Sequence, residues 1–479
     1  MNDARTLLAS MTCITMTESS NFDKFDHFVL SNFRETKLPS VTAALIRDGE
    51  TVHSVAFGLK DIASASPASI NTLYGIGSVT KSFTALSISK LVEEGKLDFH
   101  DKVTDFLPLK QRAFQEVEIH NLLTHTSGIP GLGYAEVLIS RAIGSYHRPL
   151  PISNFDDMPS FLADVDNWVE AKPGEKMFYL NEGYYLLGEV ISKVSGRPYT
   201  RYVAEEILAP LRMKRTYFEK EQIEADEDHS TPYVVKGGNA TASVIPYGCY
   251  AAGGLVSNVV DLTHYITMLI DGGEFEGKRL VGTDTLEKME TPYIKWPRAT
   301  FPGEGYGYGL QVMPNFYGRK VVGHGGSVDV FTASFACSPR AGIGVTAMAN
   351  GTGYSMDRIV LYGMALLMGR EPEELPMIKL DNLLKRLEGK YAAYKNTVLA
   401  EVRKVGSFLT LSGDDIGENI ILVPEKEDSD AATFFTLSGT AKMIVEFRFN
   451  EDGIEMIYER YKYRKTGPLQ PKATMTGST

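Results

Sequence analysis

A chain of 479 residues, 43% hydrophobic and 23% charged, has the composition of a globular protein long enough for two or three domains. Its 49 Lys and Arg against 60 Asp and Glu leave a net charge of −11 spread along the chain, which argues against nucleic acid as a partner. No run of about 18 apolar residues occurs, and no basic stretch precedes an apolar one at the N-terminus. The sequence therefore reads as having no membrane span and no signal peptide, with the cytoplasm as its location.

The first element is a helix over Phe22–Thr36, with Phe25, Phe28 and Val29 at helical spacing. Two strands follow, from Ser40 and from Thr51, joined by a turn at Asp48-Gly49. Helices are expected from Ser78 to Gly95, from His120, from Asn181 to Val194 and from Asp261 to Gly272. Strands over Gly307–Val312, Lys320–His324, Phe331–Cys337 and Ile343–Ala349 precede a helix from Met356 to Met368. Strands at both ends and a helical middle predict a mixed α+β fold whose sheet joins distant parts of the chain.

The pattern changes after Arg370. A linker leads to a short helix over Lys379–Leu387, and then to six short strand-like runs, the last being Ile454–Lys462. A small closed antiparallel barrel accounts for them, since closure removes exposed edges. Arg460, Lys462, Arg464 and Lys465 alternate with Tyr461 and Tyr463, the period of a strand face. The expected layout is an extension over 1–21, a catalytic domain over 22–370, a linker over 371–385, the barrel over 386–466 and a loose tail over 467–479.

Three sets of residues carry chemistry. Ser78 and Lys81 lie three apart at a helix start, so an amine faces a hydroxyl whose proton it can take. Alone, this spacing more often describes a capping serine and a surface lysine. Tyr179 and Asn181 lead into the next long helix, where a phenol can relay a proton, more readily if a nearby ammonium lowers its pKa. Asn181 offers a donor and an acceptor. Third, His324 sits among Gly323, Gly325 and Gly326 before Ser327, where missing side chains permit close approach to a strand edge. Cys13, Cys249 and Cys337 are odd in number and far apart, which suggests free thiols and no clustered metal site.

In this order, SxxK, YxN and HGG resemble the serine beta-lactamase and penicillin-binding-protein superfamily. The class C-like branch is closest, with its D-alanyl-D-alanine carboxypeptidases, D-aminopeptidases and esterases. Leu73-Tyr74-Gly75-Ile76-Gly77, the stretch Leu122–Pro130, Pro173-Gly174 and Gly253–Ser257 add to the likeness, which covers about residues 22 to 368. The resemblance implies a five-stranded antiparallel sheet flanked by helices, with a helical subdomain across the site. It makes Ser78 the acylated nucleophile, Lys81 its base partner, and Tyr179 the general base or relay. Asn181 would bind the substrate amide, and His324 would stand where relatives carry the lysine of Lys-Thr-Gly. The backbone amides of Ser78 and Ser327 would form the oxyanion hole, with Gly325 and Gly326 shaping the edge. No metal or cofactor is required.

One departure bears on substrate. A histidine is mostly neutral at neutral pH, and Gly325 removes a hydroxyl, so recognition of a free carboxylate should be weak. The leading reading is a hydrolase of small peptide amides, D-residue peptides included; a carboxylesterase or weak beta-lactamase uses the same acyl-enzyme. A filament-forming or scaffold protein on this fold is the reading from another class. The C-terminal segment resembles the lipocalin-like barrel appended in relatives, with capping of the cleft, stabilisation or homo-oligomer formation as its candidate roles.

Overall fold

The computed structural model describes residues 22–145, 157–353, 355–414 and 416–469. Cys13, the extension over 1–21 and the tail from 470 lie outside the described residues. The chain divides into two compact units after Pro372.

In the first unit, residues 22–36 form α1. Strands β1 (Ser40–Arg47) and β2 (Glu50–Asp61) follow, turning at Asp48 and Gly49, both at positive φ. The long helices are α2 (Thr80–Glu93), α3 (Asn181–Ser195) and α4 (Val259–Ile270). Then come β3 (Gln311–Phe316), β4 (Arg319–Ser327), β5 (Thr332–Ser338), β6 (Ile343–Ala349) and α5 (Asp357–Leu367). The sheet order is Ile294–Lys295, Gly305–Tyr306, β3, β4, β5, β6, β1, β2, Ser66–Pro67. That makes nine strands where the resemblance implied five. The additions are three two-residue strands at the two edges, too short for periodicity to register, and β3, which the sequence places at Gly307–Val312 and the structure places at Gln311–Phe316.

The sheet closes by pairing β1 with β6, Val41 opposite Ala349, which brings the two ends of the unit together. Gly344 abuts Ile266 of α4, while its neighbour Val345 abuts Gly363 of α5. Successive strand residues face opposite ways, so α4 and α5 cover opposite faces of the sheet. Phe28 of α1 stacks on Tyr362 of α5 at 3.7 Å between ring centroids.

Helix α2 is buried nearly all round, which explains its mixed sequence. Phe83, Leu86, Ile88 and Leu91 fill the core, and the hydroxyls between them bond to backbone: Ser82 to Val79 O and Ser87 to Phe83 O, each at 2.8 Å. A helix enclosed on all sides fixes its first turn firmly, and that turn carries the Ser78 and Lys81 pair.

In the second unit, α6 (Pro376–Leu387) is longer than the helix expected over Lys379–Leu387, because Pro376 is tolerated in the first turn. Eight antiparallel strands close into a barrel: β7 (Gly389–Ala392), β8 (Leu399–Val405), β9 (Phe408–Gly413), β10 (Gly417–Glu427), β11 (Ala431–Ser438), β12 (Ala441–Asn450), β13 (Gly453–Tyr458) and β14 (Tyr461–Gly467). The run Ile454–Lys462 is thus two strands. The turn between them places Glu459 at φ 50°, a conformation that its sequence does not advertise. Leu409, Leu422, Phe434, Phe447, Met456 and Tyr463 fill the interior, and Leu384 and Leu387 of α6 join them. Among the described residues, no helix is long and apolar enough to cross a membrane.

Candidate active site

Ser78 lies in a 3-10 turn, Gly77–Val79, that runs straight into α2. Gly77 is needed there: it has φ +52°, and a Cβ on it would fall 2.6 Å from the Ser327 amide nitrogen. Across the same contact, a Cβ on Gly326 would fall 2.0 Å from Ile76 O and 2.8 Å from the Ser78 nitrogen. The 76–78 turn and the 326–327 edge therefore touch backbone to backbone, which brings the amides of Ser78 and Ser327 to one place.

Strand β4 pairs with β3 only as far as Gly323, opposite Gln311, while its pairing with β5 continues to Ser327 opposite Thr332. Residues 324–327 consequently present one unpaired edge beside Ser78, suited to an extended ligand.

Lys81 is fully buried. Its Nζ lies 3.0 Å from Ser78 Oγ, 2.8 Å from Asn181 Oδ1 and 2.6 Å from Ala252 O. It also sits over the Tyr179 ring, 4.9 Å from the centroid. Burial disfavours the ammonium and brings its pKa from the usual 10.5 down to about 7; the nearby Glu136 and Glu182 carboxylates pull the other way.

Tyr179 differs from the sequence expectation. Burial raises its pKa above the ordinary phenol value, and the Ser78 hydrogen bond offsets this only in part. The nearby ammonium does not lower it, so the phenol is neutral at neutral pH.

Asn181 is the first residue of α3, after the extended Leu180. Its side chain does not cap the helix: Oδ1 takes the Lys81 bond, and Nδ2 donates to Glu136 Oε1 at 3.0 Å. Glu136 belongs to the helix Tyr134–Ala142 and was not singled out by the sequence, since nothing local ties it to Asn181.

His324 is 3% exposed, and both its nitrogens are engaged. Nδ1 donates to Gly325 O at 2.6 Å, so Nε2 accepts from the Tyr306 hydroxyl at 2.9 Å. Burial and the nearby Lys81 charge push its pKa down to about 3. It is thus a locked neutral ring. Tyr306, missed in the sequence, carries this lock; it stands in the Gly-Tyr-Gly-Tyr-Gly run over 305–309, whose spacing signals close packing but no partner. Trp296 stacks on Tyr306 at 5.7 Å between centroids.

His125 proves to be close to the site. Its Nδ1 accepts the Leu180 N–H at 3.0 Å, its carbonyl accepts the Phe178 N–H, and its ring lies 4.1 Å from that of Tyr179. The segment that carries Tyr179 and Asn181 is thereby held on both sides of Tyr179. His120 is taken up by Tyr308, 2.9 Å from its hydroxyl. Cys249 and Cys337 are buried free thiols, and burial pushes the Cys249 pKa up to about 11. Among the described residues, no group of three His, Cys, Asp or Glu side chains converges to hold a metal ion.

The arrangement can be set beside known proteins. The beta-lactamase family model matches residues 20–367, and the model of the Pab87 octamerisation domain matches 372–464. The octameric penicillin-binding protein homologue from Pyrococcus abyssi superposes with a TM-score of 0.87 at 43% identity, over 92% of this chain and 99% of that one. A penicillin-binding protein from Bacillus halodurans has the same fold, with a TM-score of 0.57 at 24% identity over 70% and 97% of the two chains. Protein flp of Staphylococcus aureus strain MW2 is 26% identical over 333 residues; these make up 68% of this chain and 62% of flp, so the chain spans less than two thirds of that relative. The chain belongs to the beta-lactamase family.

Proposed function

We propose that the chain is a serine hydrolase that forms a covalent acyl-enzyme on Ser78 and cleaves amide bonds of small peptides, D-amino-acid peptides among them. The acceptor set around Lys81 carries this reading. Asn181 Oδ1 and Ala252 O can only accept hydrogen bonds. A neutral Lys81 has two N–H groups for these two oxygens and one lone pair left, which must face Ser78 Oγ. Because burial makes the neutral amine accessible near pH 7, the site holds a base aimed at the serine proton.

In the proposed path, Ser78 Oγ attacks the carbonyl carbon and its proton passes to Lys81. The Ser78 and Ser327 amides hold the oxyanion. The protonated Lys81, through the neutral Tyr179 phenol, returns a proton to the leaving nitrogen as the C–N bond breaks. Water then attacks the ester, its proton drawn off by the same pair, and Ser78 recovers its hydrogen. His324 supplies no fixed cation for a substrate carboxylate, which speaks against a dedicated beta-lactamase.

We also infer that the chain assembles with copies of itself through the barrel, as the Pyrococcus abyssi homologue is octameric. The barrel's outer face supports this. Val405 pairs with Phe408, Thr410 with Ile421, and Phe435 with both Val423 and Ile444. Val405, Phe408, Ile421 and Ile444 are all exposed, an apolar band that a lone chain would leave to water.

Hydrolysis of matched D- and L-peptides and a short-chain ester, by wild type and Ser78→Ala, tests the reading. Serine-dependent peptide cleavage is expected. Ester cleavage alone moves the assignment to a carboxylesterase, and rates unchanged in Ser78→Ala would remove the acyl-enzyme.

A further inference from the structure

We propose that Glu136 selects the charge of the substrate: its carboxylate, bound to the Asn181 amide beside Lys81, takes an ammonium group on the acyl side of the scissile bond. The inference rests on the acyl-enzyme reading and adds a substrate class to it.

Three hydrogen bonds run in series, Ser78 Oγ to Lys81 Nζ at 3.0 Å, Lys81 to Asn181 Oδ1 at 2.8 Å, and Asn181 Nδ2 to Glu136 Oε1 at 3.0 Å. The chain begins at the proposed nucleophile and ends at an exposed carboxylate. Glu136 bears electrostatically on Lys81, Tyr179, Glu182 and Cys249 alike, so it belongs to the same charge environment as the reacting groups. It also lies in the first turn of the helix Tyr134–Ala142, where a carboxylate is favoured by the helix dipole. That accounts for an acid at this position, but not for its bond to Asn181.

Among the described residues, the other groups of the site leave the charge of Glu136 unanswered. Lys81 is spent on Asn181 Oδ1, Ala252 O and Ser78 Oγ. His324 is neutral, held by Tyr306 and Gly325 O. His125 is neutral too, its Nδ1 taken as an acceptor by Leu180 N–H. With Asn181 Oδ1 on Lys81 and one Nδ2 hydrogen on Glu136, the asparagine keeps a single N–H for a substrate carbonyl. Beyond that N–H, this end of the chain offers a ligand the second carboxylate oxygen of Glu136, an acceptor with a negative charge. An ammonium group suits it; a carboxylate is repelled. The acyl part of the substrate stays tethered to Ser78 through both steps, and so stays within reach of this chain throughout.

The test uses the full-length protein and three 4-nitroanilides of alanine, in both enantiomers: free amine, N-acetyl and N-succinyl. In wild type at pH 7 and low salt, kcat/KM should fall in that order, with the amine favoured over the acetyl compound by about fivefold, the worth of a partly exposed ion pair. Glu136→Gln keeps an acceptor for Asn181 and should bring the amine-to-acetyl ratio to about one through KM; Glu136→Lys should favour the succinyl compound. Raising the salt should shrink the wild-type ratio, which needs no variant. Inhibition of 4-nitrophenyl acetate hydrolysis by each compound reports binding even where turnover is slow. A ratio that Glu136→Gln leaves as in wild type, or a wild-type preference for the succinyl compound, overturns the proposal. If instead Ser78→Ala leaves ester hydrolysis intact, the acyl-enzyme reading fails, and this inference falls with it.

Discussion

If Lys81 is the base, one proton governs both rate and stability. Its pKa near 7 means that the neutral amine is half populated near neutrality and falls about tenfold per pH unit below it. The free-enzyme profile of kcat/KM should therefore rise with a slope of one from pH 5, bend near pH 7 and level off above. Stability follows with a definite sign. The folded protein releases this proton near pH 7, whereas the unfolded chain keeps it until about 10.5. Between those values the unfolded state binds the extra proton, so raising the pH favours the folded state. Below pH 7 the cost of burying the ammonium is at its full value. One proton is worth about 1.4 kcal/mol per pH unit, so the window from pH 7 to 10 amounts to roughly 4 kcal/mol. Other groups titrate over this range, so the quantity to read is the denaturant-derived stability of wild type minus that of Lys81→Met at each pH. That difference should move in favour of wild type by this order between pH 7 and 10. A difference that is flat with pH, or a kcat/KM profile without a bend between pH 6 and 8, would refute a depressed Lys81 acting as base.

Other consequences follow from contacts around the site. Gly326→Ala forces a Cβ to within 2.0 Å of Ile76 O, where only backbone can yield, so the Ser78 and Ser327 amides must part. The 4-nitrophenol burst rate should drop roughly a hundredfold, the order seen when an oxyanion donor is lost, and a burst as fast as wild type would contradict the backbone contact. Tyr306→Phe strips a buried acceptor, His324 Nε2, of its donor. It should cost about 1–3 kcal/mol by chemical denaturation, and an unchanged midpoint would show that the lock carries no weight. Placing lysines at both Phe408 and Ile421 should lower the mass of the assembled species by light scattering while the folded circular dichroism persists; an undiminished mass would put the self-contact elsewhere.

Much of the site was legible because its signals are local. Ser78 and Lys81 share a helix face by spacing, and Tyr179 and Asn181 flank the single extended residue before α3. The strands of the sheet were legible as alternating runs, and their long-range closure, β1 on β6, followed from their positions at the two ends of the unit. What stayed hidden depends on contacts distant in sequence or on burial. Glu136 meets Asn181 across 45 positions, and Tyr306 meets His324 from the strand next but one in the sheet, which is two residues long. The direction of the Tyr179 shift could not be read from its neighbours, since burial outweighs the adjacent ammonium. Nothing around His125 in the sequence points to Leu180, and its hold there appears only once the two segments lie together. The missed turn at Glu459 carries no glycine, proline or asparagine to mark it.

The central claim is that Ser78 becomes acylated with Lys81 as its base. Intact-mass analysis with peptide mapping, after exposure to a 4-nitrophenyl ester under acid quench, tests this most directly. The account predicts one adduct of the acyl mass, located on Ser78, formed in wild type and absent from Ser78→Ala and Lys81→Met. An adduct on another residue, or labelling that persists in Ser78→Ala, would contradict it.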